Sequence, residues 1–345
     1  VPEPVAGYVT VPVEALPAGV RTLSVGELVK RTVVSRDAAQ RFLTGRQCQT
    51  KTVRKICDKL NLSFELLVLG YPDAEGVAEA EEVGGEWEVA ETLTPVITAP
   101  NDLQYRVYRL RHQHTAGRLG RGKRYDIAHL NPEARAGWLP KLGRHPEVCG
   151  RVRHARIPVH LRYFPADPAG AVWWVVDEWV AGRTLAEVIT TEDPSAKAPA
   201  YAWQMADGLS ALHAAGVVRR DLSPATVWVG DAGLLLTEFE LAKLGQGAPT
   251  VSKHWPHNPY RTPEVHDGDA EPPADIYSWA RIVTMLLLKE LPPAPELAAA
   301  FAKTNLPRAV RDLLVAASAP RPSLRPRSFD DVKRVVEPWA KGSAP

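Results

Sequence analysis

The stretch that decides the fold is VVRRDLSPATVWVGDAGLLLTEFE, residues 217–240. Thr226–Val229 and Leu234–Thr237 alternate as two short strands around a turn at Gly230–Gly233. A hairpin brings its two ends together. Asp221 ahead of it and Glu238 behind it are therefore spatial neighbours, although 17 residues separate them in sequence.

The pattern extends outward on both sides. Upstream, Ala198, Ala202, Met205, Leu209 and Leu212 step by 4, 3, 4 and 3 residues, which is one face of a helix that Gly216 can end. Earlier still, Tyr105–Leu110, Tyr125–Leu130, Val159–Phe164 and Ala171–Val176 read as half-buried strands. Strands first and helices after Val180 give an α+β chain with a small β-rich lobe and a larger helical one. The length of 345 residues leaves room for a further module ahead of these two lobes.

Composition excludes several classes. Apolar residues make up 45% and charged residues 24%, which supports a core and argues against wholesale disorder. Three cysteines without C-x-x-C spacing (Cys48, Cys57 and Cys149) read as free thiols in a reducing compartment. With no long apolar run and no leader-like N-terminus, neither a membrane span nor a secretion signal is expected, and the location expected is cytoplasmic. His112, His114, His145 and His154 form no recognisable metal-ligand spacing.

The net charge of +2 is a cancellation. Between Lys30 and Lys59 nine basic residues face two acidic ones; from Asp73 to Glu91 there are eight carboxylates and no Lys or Arg; from Arg106 to Arg124 seven basic residues occur without an acid. The acidic, glycine-containing stretch reads as a linker. The expected division is 1–70 for a helical module, 71–91 for the linker, 92–180 for the β-rich lobe and 181–341 for the helical lobe.

Several motifs in order, across roughly Trp87–Trp339, resemble the protein kinases. Arg219-Arg220-Asp221-Leu222-Ser223-Pro224 looks like the catalytic loop, and Glu238-Phe239-Glu240 stands in the place of the metal-binding D-F-G. Thr262-Pro263-Glu264 looks like A-P-E. Asp275 opens a segment similar to the D-x-x-S-x-G helix, and Arg325 resembles the late arginine that pairs with the A-P-E glutamate. The segment Trp173–Val180 resembles the hinge, so Glu178 and Val180 are the positions that would meet a nucleotide. The resemblance implies a bilobal kinase-like fold.

Phosphoryl transfer needs a backbone clamp, a lysine, two metal-binding groups and a base. Asp221 matches the base. Glu238 and Thr226 occupy the metal-binding positions in altered form, one a carbon longer than Asp and the other a neutral hydroxyl. The clamp region Leu93–Asp102 has two prolines and no glycine. Aligning Tyr125–Leu130 as the lysine strand puts Ala128 at the lysine position and Lys123 on the opposite strand face. Glu147 is the candidate helix glutamate, in a helix that Pro140 and Pro146 interrupt. Glu240 replaces a glycine and adds like charge beside Glu238. Trp173, Trp174 and Trp179 suggest a narrowed purine slot. Thr250 and Ser252 lie where another kinase could phosphorylate.

The expectation is a pseudokinase that scaffolds or regulates another protein, with ATP and Mg²⁺ disfavoured. The alternative is a divergent Ser/Thr kinase using Asp221 and Glu238. A further alternative rests on residues 24–67, where Ser24 and Ser35 can cap short helices and Val53, Ile56, Cys57 and Leu60 mark another. That segment resembles the helix-turn-helix of phage-repressor-type regulators and implies DNA contacts through Arg36, Gln40, Arg41 and Lys51.

Overall fold

The computed structural model describes residues 8–9, 11, 13, 16, 20, 22–60, 82–98, 103–245, 258–265 and 271–342. Thr250 and Ser252 lie outside these residues. The chain divides into two compact units, Val1–Ile97 and Thr98–Pro345.

In the first unit, strand β1 (Tyr8–Val9) pairs antiparallel with β2 (Cys48–Gln49) beside helices α1 (Val25–Thr32), α2 (Arg36–Leu43) and α3 (Thr50–Leu60). Ser24 caps α1 through a reciprocal box: its hydroxyl accepts from the Glu27 N–H at 3.2 Å, and the Glu27 carboxylate accepts from the Ser24 N–H at 2.8 Å. Ser35 accepts from the Ala38 N–H at the start of α2. Past its end, Gly45 takes the left-handed backbone (φ 65°) that suits glycine there. Leu28, Ala39, Phe42, Val53, Ile56 and Cys57 form the core of the unit. The helix positions read from sequence agree with these elements.

Residues 71–81 of the expected acidic linker lie outside the described residues, and the remainder is structured. Within residues 71–91, β3 (Glu82–Val83) and β4 (Trp87–Thr92) form an antiparallel hairpin around Gly84 and Gly85, both at positive φ. Val83 and Trp87 are buried, so an apolar pair holds this part of the acidic stretch in a strand. The division between units falls after Ile97 rather than at 70 and 91.

In the second unit the small lobe contains four antiparallel strands in the order β5 (Gln104–His112), β6 (Leu119–Asp126), β8 (Val172–Glu178), β7 (His160–Pro165). Gly122 lets β6 lie close beneath its neighbours, because a Cβ there would sit 2.6 Å from Leu110 and 2.9 Å from Trp174. Helices α4 (Pro132–Leu142) and α5 (Arg144–Arg151) follow β6 and break at Gly143, with Pro140 inside the first and Pro146 in the first turn of the second.

Beyond β8 come β9 (Gly182–Thr184), α6 (Leu185–Thr191), α7 (Ala198–Ala214), β10 (Val217–Val218), the hairpin β11 (Val227–Gly230) and β12 (Gly233–Leu236), β13 (Lys243–Leu244), and helices α8 (Pro272–Leu288), α9 (Leu297–Ala302), α10 (Arg308–Ala317) and α11 (Phe329–Ala340). The stripe Ala198, Ala202, Met205, Leu209 and Leu212 is fully buried and packs with Leu236, Ile276, Trp279 and Val332. Burying a Leu or Met side chain contributes about 1.5–3 kcal/mol relative to exposure, and an alanine methyl about 0.8 kcal/mol. The Trp279 indole N–H donates to the Ala202 carbonyl at 2.9 Å, so its polar atom is satisfied inside the core. Among the described residues no helix is long and apolar enough to cross a membrane.

Candidate functional site

The β11–β12 hairpin pairs Gly230 with Gly233 and Val227 with Leu236, as the sequence predicts. The Thr237 N–H then donates to the Thr226 carbonyl at 3.1 Å, and this closes the hairpin's open end. The loop before it is fixed from below by Asp275 of α8, which is fully buried. Its carboxylate accepts the backbone N–H of Arg219 at 2.7 Å and of Arg220 at 2.8 Å, and His213 lies at 2.8 Å. Arg220 is held at φ 64°, a conformation that bends the chain toward Asp221.

Asp221 is engaged by a cation through one carboxylate oxygen. The Arg261 guanidinium, almost fully buried, forms an ion pair with Asp221 Oδ1, and the Asp221 side chain is 23% exposed. Thr226 turns its hydroxyl inward: it faces the carbonyls of Asp221 at 3.2 Å and Ser223 at 3.1 Å and accepts from the Ser223 N–H at 3.1 Å.

The lysine strand is β6, Leu119–Asp126, and this corrects the expectation built on Tyr125–Leu130. Residues 121, 123 and 125 share one strand face. Lys123 is buried and pairs with Glu238 Oε2, and it lies 3.3 Å from Glu240 Oε1. Arg121 reaches Glu238 Oε1 at 3.0 Å. Glu238 therefore stands between two cations, on a backbone with φ 67°.

Glu240 is not the repelling charge expected from sequence. The Tyr125 hydroxyl donates to its carboxylate, and Lys123 lies beside it. Burial alone would raise the Glu240 carboxyl, but the charges of Lys123 and His145 and the Tyr125 hydrogen bond hold it down at about 2. Burial lowers Lys123 to about 8 against the pull of Glu240. Glu147, the candidate partner for the lysine, instead pairs with Arg151 on the surface of α5. Glu240 stands as counter-ion to Lys123 in its stead.

At the hinge, the Glu178 N–H donates to the Val159 carbonyl at 2.8 Å. The Val180 carbonyl accepts the indole N–H of Trp228 at 3.2 Å. Arg121 lies over the Trp228 ring, 5.7 Å from its centroid. A side chain of the floor strand thus occupies the hinge acceptor, and an arginine of the roof strand covers it. The three tryptophans expected to narrow the slot are placed otherwise. Trp174 is buried against Tyr108, Trp173 stacks on Tyr163, and Trp179 lies beneath Arg109.

The framework pair expected from sequence is present. Arg325 pairs with Glu264 and donates to the carbonyls of Ala319 at 2.8 Å, Pro320 at 2.9 Å and Pro273 at 3.1 Å. On the first unit, Arg36, Gln40, Arg41 and Lys51 are all exposed, and Arg41 pairs with Asp37 at 2.8 Å.

Sequence reasoning missed Lys123, Arg121, Trp228 and Arg261. A signal for Lys123 was the alternation Arg121, Lys123, Tyr125, but the apolar alternation after Tyr125 outweighed it. Trp228 is a large aromatic two residues after Thr226, where a strand meets the slot. Arg261 sits in a loop and carried no periodic signal.

Comparison with known proteins places this geometry in context. The model of the protein kinase domain matches residues 136–328. The Xenopus laevis serine/threonine-protein kinase mos is 29% identical over 228 residues, covering 57% of this chain and 62% of that protein. The Myxococcus xanthus serine/threonine-protein kinase pkn2 is 29% identical over 188 residues, 50% of this chain and 22% of its own length. The Corynebacterium efficiens protein drp72, also named a serine/threonine-protein kinase, is 33% identical over 120 residues, 33% of this chain and 23% of its own. The matches thus span less than two thirds of these relatives.

Proposed function

Because the chain belongs to the protein kinase family, we propose that its altered centre makes it a pseudokinase, one that acts by binding another protein rather than by transferring phosphate. The observation that carries this reading is the side-chain filling of the nucleotide slot: Trp228 on the Val180 carbonyl, with Arg121 between that ring and Glu238.

The donors do not fit magnesium. Mg²⁺ demands oxygens in near-octahedral order and is usually held by one or two carboxylates. Both oxygens of Glu238 are engaged by cations, and the Thr226 hydroxyl is committed to its own loop. The base is likewise engaged, since Asp221 would have to leave Arg261 before it could accept a proton. What the lobes retain is rigidity. Asp275 fixes the loop and Arg325 fixes Glu264, so the helical lobe keeps a defined surface without chemistry.

One observation favours the alternative of an active Ser/Thr kinase. Lys123 faces Glu238, and that reading uses the lysine, Asp221 as base and Glu238 as metal ligand. It requires Arg121, Trp228 and Arg261 all to swing away. Transfer of radiolabelled phosphate to the chain or to a generic protein substrate decides between the two. The pseudokinase reading expects no transfer above background; transfer abolished by Asp221→Asn would establish the enzyme.

DNA as a partner rests on the exposed residues Arg36, Gln40, Arg41 and Lys51 of the first unit. Arginine and glutamine suit base edges, and lysine suits phosphate.

A further inference from the structure

Behind the slot, two pairs of metal-ligating side chains converge. His145 and Cys149 stand four residues apart on α5, one turn above the other on the same helix face. His160 and Asp177 are direct cross-strand partners of β7 and β8. His145 Nε2 lies 2.9 Å from Asp177 Oδ2, and His160 Nδ1 lies 3.0 Å from Asp177 Oδ1. Cys149 Sγ lies 3.6 Å from the same His145 Nε2. The ligand atoms of His145, His160 and Asp177 all lie within 4.8 Å of one another. Asp177, His145 and Cys149 are buried.

We propose that His145, His160 and Asp177 bind a zinc-type divalent transition metal, as three protein ligands that leave a fourth position for water. Imidazole, carboxylate and thiolate are the donors that zinc takes, at about 2.0–2.3 Å in tetrahedral order. Ligands at that radius stand about 3.3–3.7 Å apart along the edges of a tetrahedron, close to the 2.9 and 3.0 Å contacts of Asp177 with the two imidazoles. Two imidazole nitrogens beside a single carboxylate favour zinc over magnesium or calcium, which prefer oxygen donors.

The site has a mechanical consequence. The His145 ring packs on Phe239 with centroids 5.5 Å apart, and its Nδ1 faces the Phe239 N–H at 3.4 Å. A ring that ligates through Nε2 carries its proton on Nδ1, so that long contact is the one metal binding would change. The ion would therefore tie α5 to the β7–β8 edge and bear on the Glu238–Glu240 segment through Phe239. The inference is independent of whether the slot binds nucleotide.

The test uses the full chain loaded with excess zinc or cobalt(II) and then dialysed. The expected result is about one equivalent retained per chain. The cobalt form should show the visible bands of a four-coordinate site. His160→Gln changes the least buried ligand and so keeps the fold. It should weaken binding by more than about 100-fold, measured against a chromophoric chelator. A folded wild-type chain that retains no metal would overturn the proposal and leave the cluster a carboxylate–imidazole ion pair. So would equal retention by folded His160→Gln, which would put the metal elsewhere.

Discussion

Replacing Glu240 by Gln removes one negative charge from a buried site and keeps an acceptor for the Tyr125 hydroxyl. Glu240 is 6% exposed, and its carboxyl is held at about 2 instead of the ordinary 4.5. That depression means that the fold favours the ionised form. Because the folded value is depressed, the stabilisation is present above about pH 4.5 and is lost as the pH falls through about 2. Removing one member of a buried pair costs about 3–5 kcal/mol when nothing compensates the charge left behind; Glu238 still faces Lys123, so the lower end, about 3 kcal/mol, is expected. For a domain of this size the midpoint should fall by about 6–12 °C at pH 7. Thermal unfolding followed by circular dichroism measures it, and the gap between variant and wild type should narrow as the pH is lowered below 4.5. A single variant within about 0.5 kcal/mol of wild type at pH 7 would refute the assignment of Glu240 as counter-ion to Lys123.

Opening the slot should change what it binds: Arg121→Ala with Trp228→Leu removes the roof and floor side chains, and a fluorescent adenine nucleotide should gain affinity at least tenfold over wild type by anisotropy. Arg325→Met leaves Glu264 without its partner and three carbonyls without their donor, so urea unfolding should show a loss of about 3–5 kcal/mol. If the first unit reads DNA, affinity should fall steeply with salt, and Arg36→Ala should weaken it, by fluorescence titration at several ionic strengths. Binding insensitive to both salt and Arg36→Ala would exclude a DNA role for that surface.

How much was legible in the sequence follows from the kind of signal each element carries. Helix α7 was legible because a 4-3-4-3 apolar step leaves little choice of face, and its five stripe residues are all fully buried. The β11–β12 hairpin was legible from alternation and its glycines. Asp275, Glu264 and Arg325 were legible because framework positions depend on residue type and order. The lysine strand was not, because β6 alternates Arg and Lys with glycines, whereas the next residues offered a more ordinary apolar pattern. A strand whose inward face carries charge becomes readable only when its counter-ions are known, and Glu238 and Glu240 lie more than a hundred residues away. A separation of 32 residues likewise hid the His145–Asp177 contact between a helix and a strand. The acidic stretch misled for the opposite reason, since its charge count concealed the buried Val83–Trp87 pair.

The central claim, that the centre is filled by its own side chains, is tested most directly by calorimetric titration of ATP into the intact chain, with and without Mg²⁺. No saturable heat is expected at millimolar ATP in either buffer. Saturable binding that tightens when Mg²⁺ is added would contradict it, because it would require Glu238 to leave Arg121 and Lys123 for a metal ion and Trp228 to release the hinge.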